Sequence, residues 1–163
     1  MKDFKVHPKT RIGHIHLSVS NLKRSIGFYT NVLGFKITCW WEDKTAVFLS
    51  ASDYHHHIAL NVWYSKGTKP PSTGHIGMFH FAILYPSRKE FAKAVKHVID
   101  TGIPVAAQDH GASESVYLAD PDGNGIELYA DKPKRKWPKD KKGNLILYSK
   151  PLKVQDILKE LER

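Results

Sequence analysis

His14-Ile-His-Leu-Ser-Val19 and His80-Phe-Ala-Ile-Leu-Tyr85 are the two stretches on which the fold turns. Each alternates apolar residues with others, the pattern of a strand that turns one face to a core. Each runs directly into a capped amphipathic helix. After the first, Asn21 is the N-cap, Leu22, Ile26, Phe28, Tyr29 and Leu33 follow at helical spacing, and Gly34 is the stop. After the second, Ser87 caps and Glu90 completes a capping box. Phe91, Ala94, Val95, Val98 and Ile99 then form the apolar stripe, with Gly102 as terminator.

Outward from these two units, strands are predicted over 12–19, 35–41, 46–49 and 56–63, and again over 78–85, 105–107, 114–118 and 126–129. A loop rich in Gly and Pro over 66–74 separates the two sets. Strand, helix and three strands thus occur twice, an internal repeat, and Leu33-Gly-Phe-Lys-Ile37 answers loosely to Thr101-Gly-Ile-Pro-Val105. The expected class is α+β: two βαβββ repeats, at about 11–65 and 76–131, form a cupped mixed sheet about a pseudo-two-fold axis with helices outside. Residues 1–131 make that domain. A basic C-terminal extension over 132–163 follows and ends in a short helix carrying Val154, Ile157, Leu158 and Leu161. Its expected role is to cover part of the domain or a neighbouring subunit.

Composition sets the outer limits. A chain of 163 residues, 41% hydrophobic, has the size and apolar content of one globular domain. The single cysteine, Cys39, has no partner for an internal disulfide. No apolar run approaches a membrane span, and the charged start Met1-Lys-Asp-Phe-Lys-Val6 lacks the apolar stretch of a signal peptide, so a cytoplasmic protein without membrane partners is expected. The net charge is +9, much of it in Lys132-Pro-Lys-Arg-Lys-Trp-Pro-Lys-Asp-Lys-Lys142, which reads as a solvated edge. No common nucleic-acid motif accompanies it, so no nucleic-acid partner is expected. The positive field suits small anionic substrates.

Strand alternation nominates the chemistry. His14, His16 and Ser18 share one face, opposite Ile15, Leu17 and Val19, which suit packing under the helices. His80 is the repeat equivalent of His14. Ile126, Leu128 and Ala130 form a helix-facing set, which turns Glu127 and Tyr129 into the cup. Two histidines and a carboxylate from three strands are therefore aimed at one cavity. Such a set with open positions suits Fe(II) most naturally, with Mn(II), Zn(II) or Ni(II) as other divalent ions. Ile126-Glu-Leu128 corresponds to Ile58-Ala-Leu60, so the fourth symmetric position is Ala59, which has no ligand atom. His57 stands two residues before Ala59 on the same face. His16, His55, His56, His75 and His97, taken singly, read as hydrogen-bonded structural or surface histidines, and His7 lies in the leading segment.

These residues resemble a known superfamily. His14-Ile-His-Leu-Ser-Val-Ser-Asn-Leu-Lys-Arg-Ser-Ile-Gly-Phe-Tyr29 followed by Val32-Leu-Gly-Phe35 resembles the opening module of the vicinal oxygen chelate proteins, which include glyoxalases, bleomycin-resistance proteins and extradiol dioxygenases. The likeness continues through Tyr54-His-His-His-Ile-Ala-Leu-Asn-Val-Trp63, His80-Phe-Ala-Ile83 and Asp120-Pro-Asp-Gly-Asn-Gly-Ile-Glu-Leu-Tyr129. His110-Gly-Ala-Ser-Glu-Ser-Val-Tyr-Leu-Ala-Asp-Pro-Asp-Gly-Asn-Gly-Ile-Glu127 is similar to the signature of ring-cleaving extradiol enzymes. Gln108 stands where that signature prefers a small or β-branched residue or Asn. Trp137-Pro138 resembles the catechol 2,3-dioxygenase-like branch.

The resemblance implies that His14, His80 and Glu127 hold Fe(II), that His57 is the acid/base histidine, and that His110 and Tyr117 hydrogen-bond substrate and intermediates. The plain alternatives are a core tyrosine at Tyr117 and a loop histidine at His110. The implied reaction is insertion of O2 into a catechol-like small molecule. Three other activities share the fold: a glyoxalase-type lyase or isomerase, a metal-dependent thiol transferase, and a metal-free ligand-binding protein. Glyoxalases usually carry a carboxylate at the place of Ala59. A homodimer is compatible with such cupped sheets.

Overall fold

The computed structural model describes residues 3–72 and 74–162. Met1, Lys2, Thr73 and Arg163 lie outside the described residues, which removes two residues of the charged start and one of the linking loop. The order is β1 (Ile15–Ser18), α1 (Leu22–Asn31), β2 (Lys36–Trp40), β3 (Ala46–Ser50), β4 (Ile58–Asn61), β5 (Phe81–Leu84), α2 (Arg88–Asp100), β6 (Ala106–Asp109), β7 (Ser113–Ala119), β8 (Gly125–Asp131), β9 (Lys150–Pro151) and α3 (Val154–Leu158). Both helix caps form as expected: the Asn21 side chain accepts from Arg24 N–H and the Ser87 side chain from Glu90 N–H.

The repeat is present at the level of hydrogen bonding. β1 pairs with β4 in parallel, and β5 pairs with β8 in parallel. His16 stands opposite Ala59, and Ala82 stands opposite Glu127. The register therefore makes His14 and His80 equivalent, and Ala59 the counterpart of Glu127. The class is α+β with two mixed sheets. Their orders are β1-β4-β3-β2 and β5-β8-β7-β6-β9, so the strands hydrogen-bond as two sheets and not as one continuous cup. Among the described residues β1 and β5 are outer strands, each pairing on one side only.

One apolar core lies under both sheets, and its fully buried members include Leu49, Leu60, Phe91, Ile126, Leu128 and Ile157. Each such side chain contributes about 1.5–3 kcal/mol by leaving water. The turn Asp120-Pro-Asp-Gly-Asn124 ties the halves together. Tyr29 Oη donates to Asp120 Oδ2 at 3.0 Å, while the Ser20 hydroxyl and Arg24 Nη2 each donate to Asp122 Oδ1 at 2.5 Å.

The extension is built into the second half. β9 adds a fifth strand beside β6, Leu152 N–H donates to the Ala107 carbonyl, and Ile157 of α3 is fully buried. Arg88 of α2 donates to Glu114 and Glu160 at 2.7 Å and to the Asp156 carbonyl at 2.9 Å, fastening α3 to the sheet. Among the described residues no helix is long and apolar enough to cross a membrane.

Candidate metal centre

On β8, Ile126, Leu128 and Ala130 are buried while Glu127 and Tyr129 are half-buried on the other face, as alternation requires. Glu127 is flanked on one side by Ala82 of β5 and on the other by Tyr117 of β7. That pairing puts the Tyr117 hydroxyl on the carboxylate, where it donates to Oε1 at 3.0 Å. His80 immediately precedes β5, and its Nε2 lies 3.1 Å from Glu127 Oε2. Gly125 lets these two strands approach: a Cβ there would stand 2.4 Å from the Phe79 carbonyl oxygen and 3.0 Å from His80 Cβ.

Behind Tyr117 stands His110. Its Nε2 is 2.7 Å from the Tyr117 hydroxyl oxygen, and its Nδ1 is 2.9 Å from the Tyr148 carbonyl. His80, His110 and Tyr117 line a cavity of about 480 Å3 together with Phe79, Gln108 and Ser149. Burial, followed by the hydrogen bond to and charge of Glu127, pushes the Tyr117 phenol up to about 12. The hydroxyl therefore keeps its proton at neutral pH.

Of the three expected ligands, the chain brings His80 and Glu127 together and leaves His14 on the other sheet. Among the described residues no three His, Cys, Asp or Glu side chains gather around one point that could hold a cation. The reason is topological: His14 leads into β1 and His80 into β5, and these strands are edges of different sheets. His14 is exposed just ahead of β1, and alternation along one strand carries no information about how two sheets are placed.

Around His14 lies a separate cluster. The His56 ring centroid is 4.4 Å from that of His14 and 4.9 Å from that of Phe48, and His16 packs on Trp63 at 5.2 Å. Burial and then the neighbouring His14 hold His56 below the usual imidazole range, and the same two causes act on His16. His57 has its own partners: the Ser50 hydroxyl is 2.9 Å from its Nδ1, and Ala51 N–H donates to that nitrogen at 3.3 Å. The neighbour of His14 is thus His56, which single-residue reading set aside. Strand β4 begins only at Ile58, so period-two counting does not reach back to position 56. The run His55-His-His57 was the one available signal.

With this geometry in view, a profile of the Glyoxalase/Bleomycin resistance protein/Dioxygenase superfamily matches residues 11–128, and the chain belongs to that superfamily. Relatives divide by chemistry. Catechol-2,3-dioxygenase of Bacillus subtilis (strain 168) is 35% identical over 155 residues, 95% of this chain and 53% of that protein. Biphenyl-2,3-diol 1,2-dioxygenase 3 of Rhodococcus globerulus is 30% identical over 74% of this chain and 63% of its own length. Glutathione transferase FosA of Serratia marcescens is 24% identical over 72% of this chain and 79% of its own. The chain thus spans about half the length of the Bacillus relative. A glyoxalase/dioxygenase from Nostoc punctiforme shares the fold, with TM-score 0.62, 20% identity and coverage of 82% of this chain and 100% of that one.

Proposed function

We propose that this chain is a metal-dependent, extradiol-type dioxygenase that opens a catechol-like ring with O2, using His14, His80 and Glu127 as Fe(II) ligands. The observation that carries this reading is the His80–Glu127 pair: an imidazole nitrogen and a carboxylate oxygen 3.1 Å apart beside a cavity of about 480 Å3. Such N and O donors fit a first-row divalent cation, and the Tyr117 bond is the outer support that orients a ligating carboxylate. Mn(II), Zn(II) and Ni(II) accept the same donors. Bound Fe(II) would supply the charge that holds two vicinal substrate oxygens and the one-electron chemistry that O2 requires.

The protein's own groups do the rest. The rings of Phe79, His80 and Tyr117 line the cavity and suit an aromatic ring. Tyr117, held protonated, keeps its hydrogen beside Glu127, within reach of both the carboxylate and His110. A histidine takes the substrate hydroxyl proton and returns it to the ring-opened product, which keeps both oxygen atoms of O2. The resemblance points to His57 for that role, whereas contact with His14 favours His56.

His14 completes the set when the β1 and β5 edges are brought side by side. Among the described residues both edges are unpaired, and Ile12, Trp41, Trp63 and Phe79 expose apolar surface that a second copy of the chain would cover. We therefore assign His14 of one copy to His80 and Glu127 of another. The test is oxygen uptake with a panel of catechols after anaerobic Fe(II) loading. His14→Ala and Glu127→Gln are each expected to be inactive. Co-refolded together they should regain about a quarter of the activity, because half the random dimers would carry one intact site of two. No uptake by the unmodified protein with any catechol sinks the reaction. Uptake by that protein with none in the mixture returns the site to a single chain.

The second reading is a transferase or lyase, and what favours it is the 24% identity to glutathione transferase FosA over 72% of this chain. Transfer of a thiol to an epoxide, or turnover of a methylglyoxal–thiol adduct with Zn(II) or Ni(II), would establish it.

A further inference from the structure

We infer that the C-terminal extension is a positioning element of this site: its Tyr148 carbonyl holds His110 with the proton on Nδ1, so that Nε2 offers a lone pair to the Tyr117 hydroxyl. A carbonyl oxygen only accepts, so the ring nitrogen 2.9 Å from it is the donor. In a neutral imidazole the other nitrogen is then bare, and it lies 2.7 Å from the phenolic oxygen. Tyr117 has one hydrogen, so with a bare Nε2 that hydrogen is shared between His110 Nε2 at 2.7 Å and Glu127 Oε1 at 3.0 Å, and the bond to Glu127 is weakened in proportion. In the opposite tautomer Nε2–H would point at the phenolic oxygen, leaving Glu127 as the sole acceptor. A backbone atom 38 residues away in sequence thus sets the direction of hydrogen bonding beside Glu127.

The grip is continuous. Four successive residues on and after β6 each meet the extension. Gln108 Oε1 accepts from the Ser149 hydroxyl at 3.1 Å, and Asp109 Oδ1 is 2.6 Å from Lys132 Nζ. His110 donates to Tyr148, and Gly111 lies under Pro138 and Tyr148. At Gly111, with φ of +82°, a Cβ would meet Pro138 Cγ at 2.7 Å and Tyr148 Cε1 at 2.8 Å. The extension can press on the site there because that residue has no side chain. Ser149 and Gln108 also line the cavity, so the segment that orients His110 forms part of its wall.

The consequence for catalysis rests on the proposed reaction; the tautomer does not. Full-length protein carrying ring-15N histidine would be examined by long-range 1H–15N correlation at about pH 8.5, above the ordinary imidazole value of about 6.5. The His110 signals would be assigned by their loss in His110→Gln. The expected result is a single Nδ1–H tautomer. Gly111→Ala, which dislodges Pro138 and Tyr148, should shift His110 toward a mixture of tautomers. Lys132→Leu, which frees Asp109 without adding a clash, should do so more mildly and serves if the first variant does not fold. An Nε2–H or doubly protonated His110 in the unmodified protein overturns the inference, as does an undiminished Nδ1–H form in the folded variants. The expected tautomers with no oxygen uptake from any catechol would remove the reaction and leave the positioning role intact.

Discussion

Replacing Gly125 with Ala tests the closeness on which the His80–Glu127 pair depends. The added Cβ would sit 2.4 Å from the Phe79 carbonyl oxygen, where ordinary contact begins near 3.4 Å. The lead-in to β5 must therefore retreat by about 1 Å. The obstacle is backbone, so no side-chain rotation relieves it. The retreat carries His80 with it, and a contact of 3.1 Å between Nε2 and Glu127 Oε2 opens to beyond hydrogen-bond range. Overpacking of this kind costs about 1–3 kcal/mol, offset by about 0.4–1 kcal/mol from the reduced freedom of the unfolded chain. A net loss of about 1.5 kcal/mol corresponds to a fall in melting temperature of about 3–6 °C at this chain length. Binding of Mn(II) as a redox-silent probe should weaken by about tenfold or more. The same substitution at Gly27, inside α1 with nothing within 4 Å of its Cβ, should raise the melting temperature, since Ala favours helix by about 1 kcal/mol. Thermal unfolding by circular dichroism and titration calorimetry provide the two readouts. A Gly125→Ala protein that melts at or above the unmodified temperature would refute the reasoning.

Tyr29→Phe removes the donor that links α1 to the buried Asp120, leaving three hydrogen bonds from Asp122 and Asn124 on that carboxylate. It should cost about 1–2 kcal/mol in urea unfolding, and no change in midpoint would remove this bond from the account of how the halves are joined. Arg88→Met strips the contacts with Glu114, Glu160 and the Asp156 carbonyl, so limited proteolysis should release the C-terminal helix first. Uniform cleavage elsewhere would contradict this. Acid should destabilise the fold through Asp122. Burial pushes its carboxyl up, but hydrogen bonds from Ser20 and Arg24 outweigh burial and hold it below the usual range. The unfolded chain then binds more protons, so this stability is fully present above about pH 4–5 and is lost as pH falls through the lower folded value. Asp122→Asn should flatten the dependence of unfolding free energy on pH below about pH 4, and an unchanged slope would exclude Asp122 as its source.

Residue patterns carried the local structure a long way. Both helices begin at the caps read from Asn21 and Ser87, and the alternation on β1 and β8 matches the observed burial of Leu17, Val19, Ile126 and Leu128. Strand ends were less legible: the first strand, expected from position 12, begins at Ile15, and the fourth, expected from 56, begins at Ile58. Those ends bear on the site, because His56 and His57 lie just ahead of β4, where His56 meets His14 and His57 Nδ1 meets Ser50. The role of Asp120 and Asp122 in joining the halves was likewise invisible, since a turn motif does not say which helix it will touch.

The sequence by itself determined the repeat, the α+β class, and the equivalence of His14 with His80 and of Ala59 with Glu127. These follow from periodicity and capping, which act over a few residues. Only the tertiary structure decided that His80, Glu127, Tyr117 and His110 form one hydrogen-bonded group while His14 stands with His56 on another sheet. It also decided that the basic extension is a wall of the cavity. The physical reason is the same in each case. Which face a residue takes is set by its own strand, whereas which residues meet depends on sheet edges and long-range packing that no local pattern encodes.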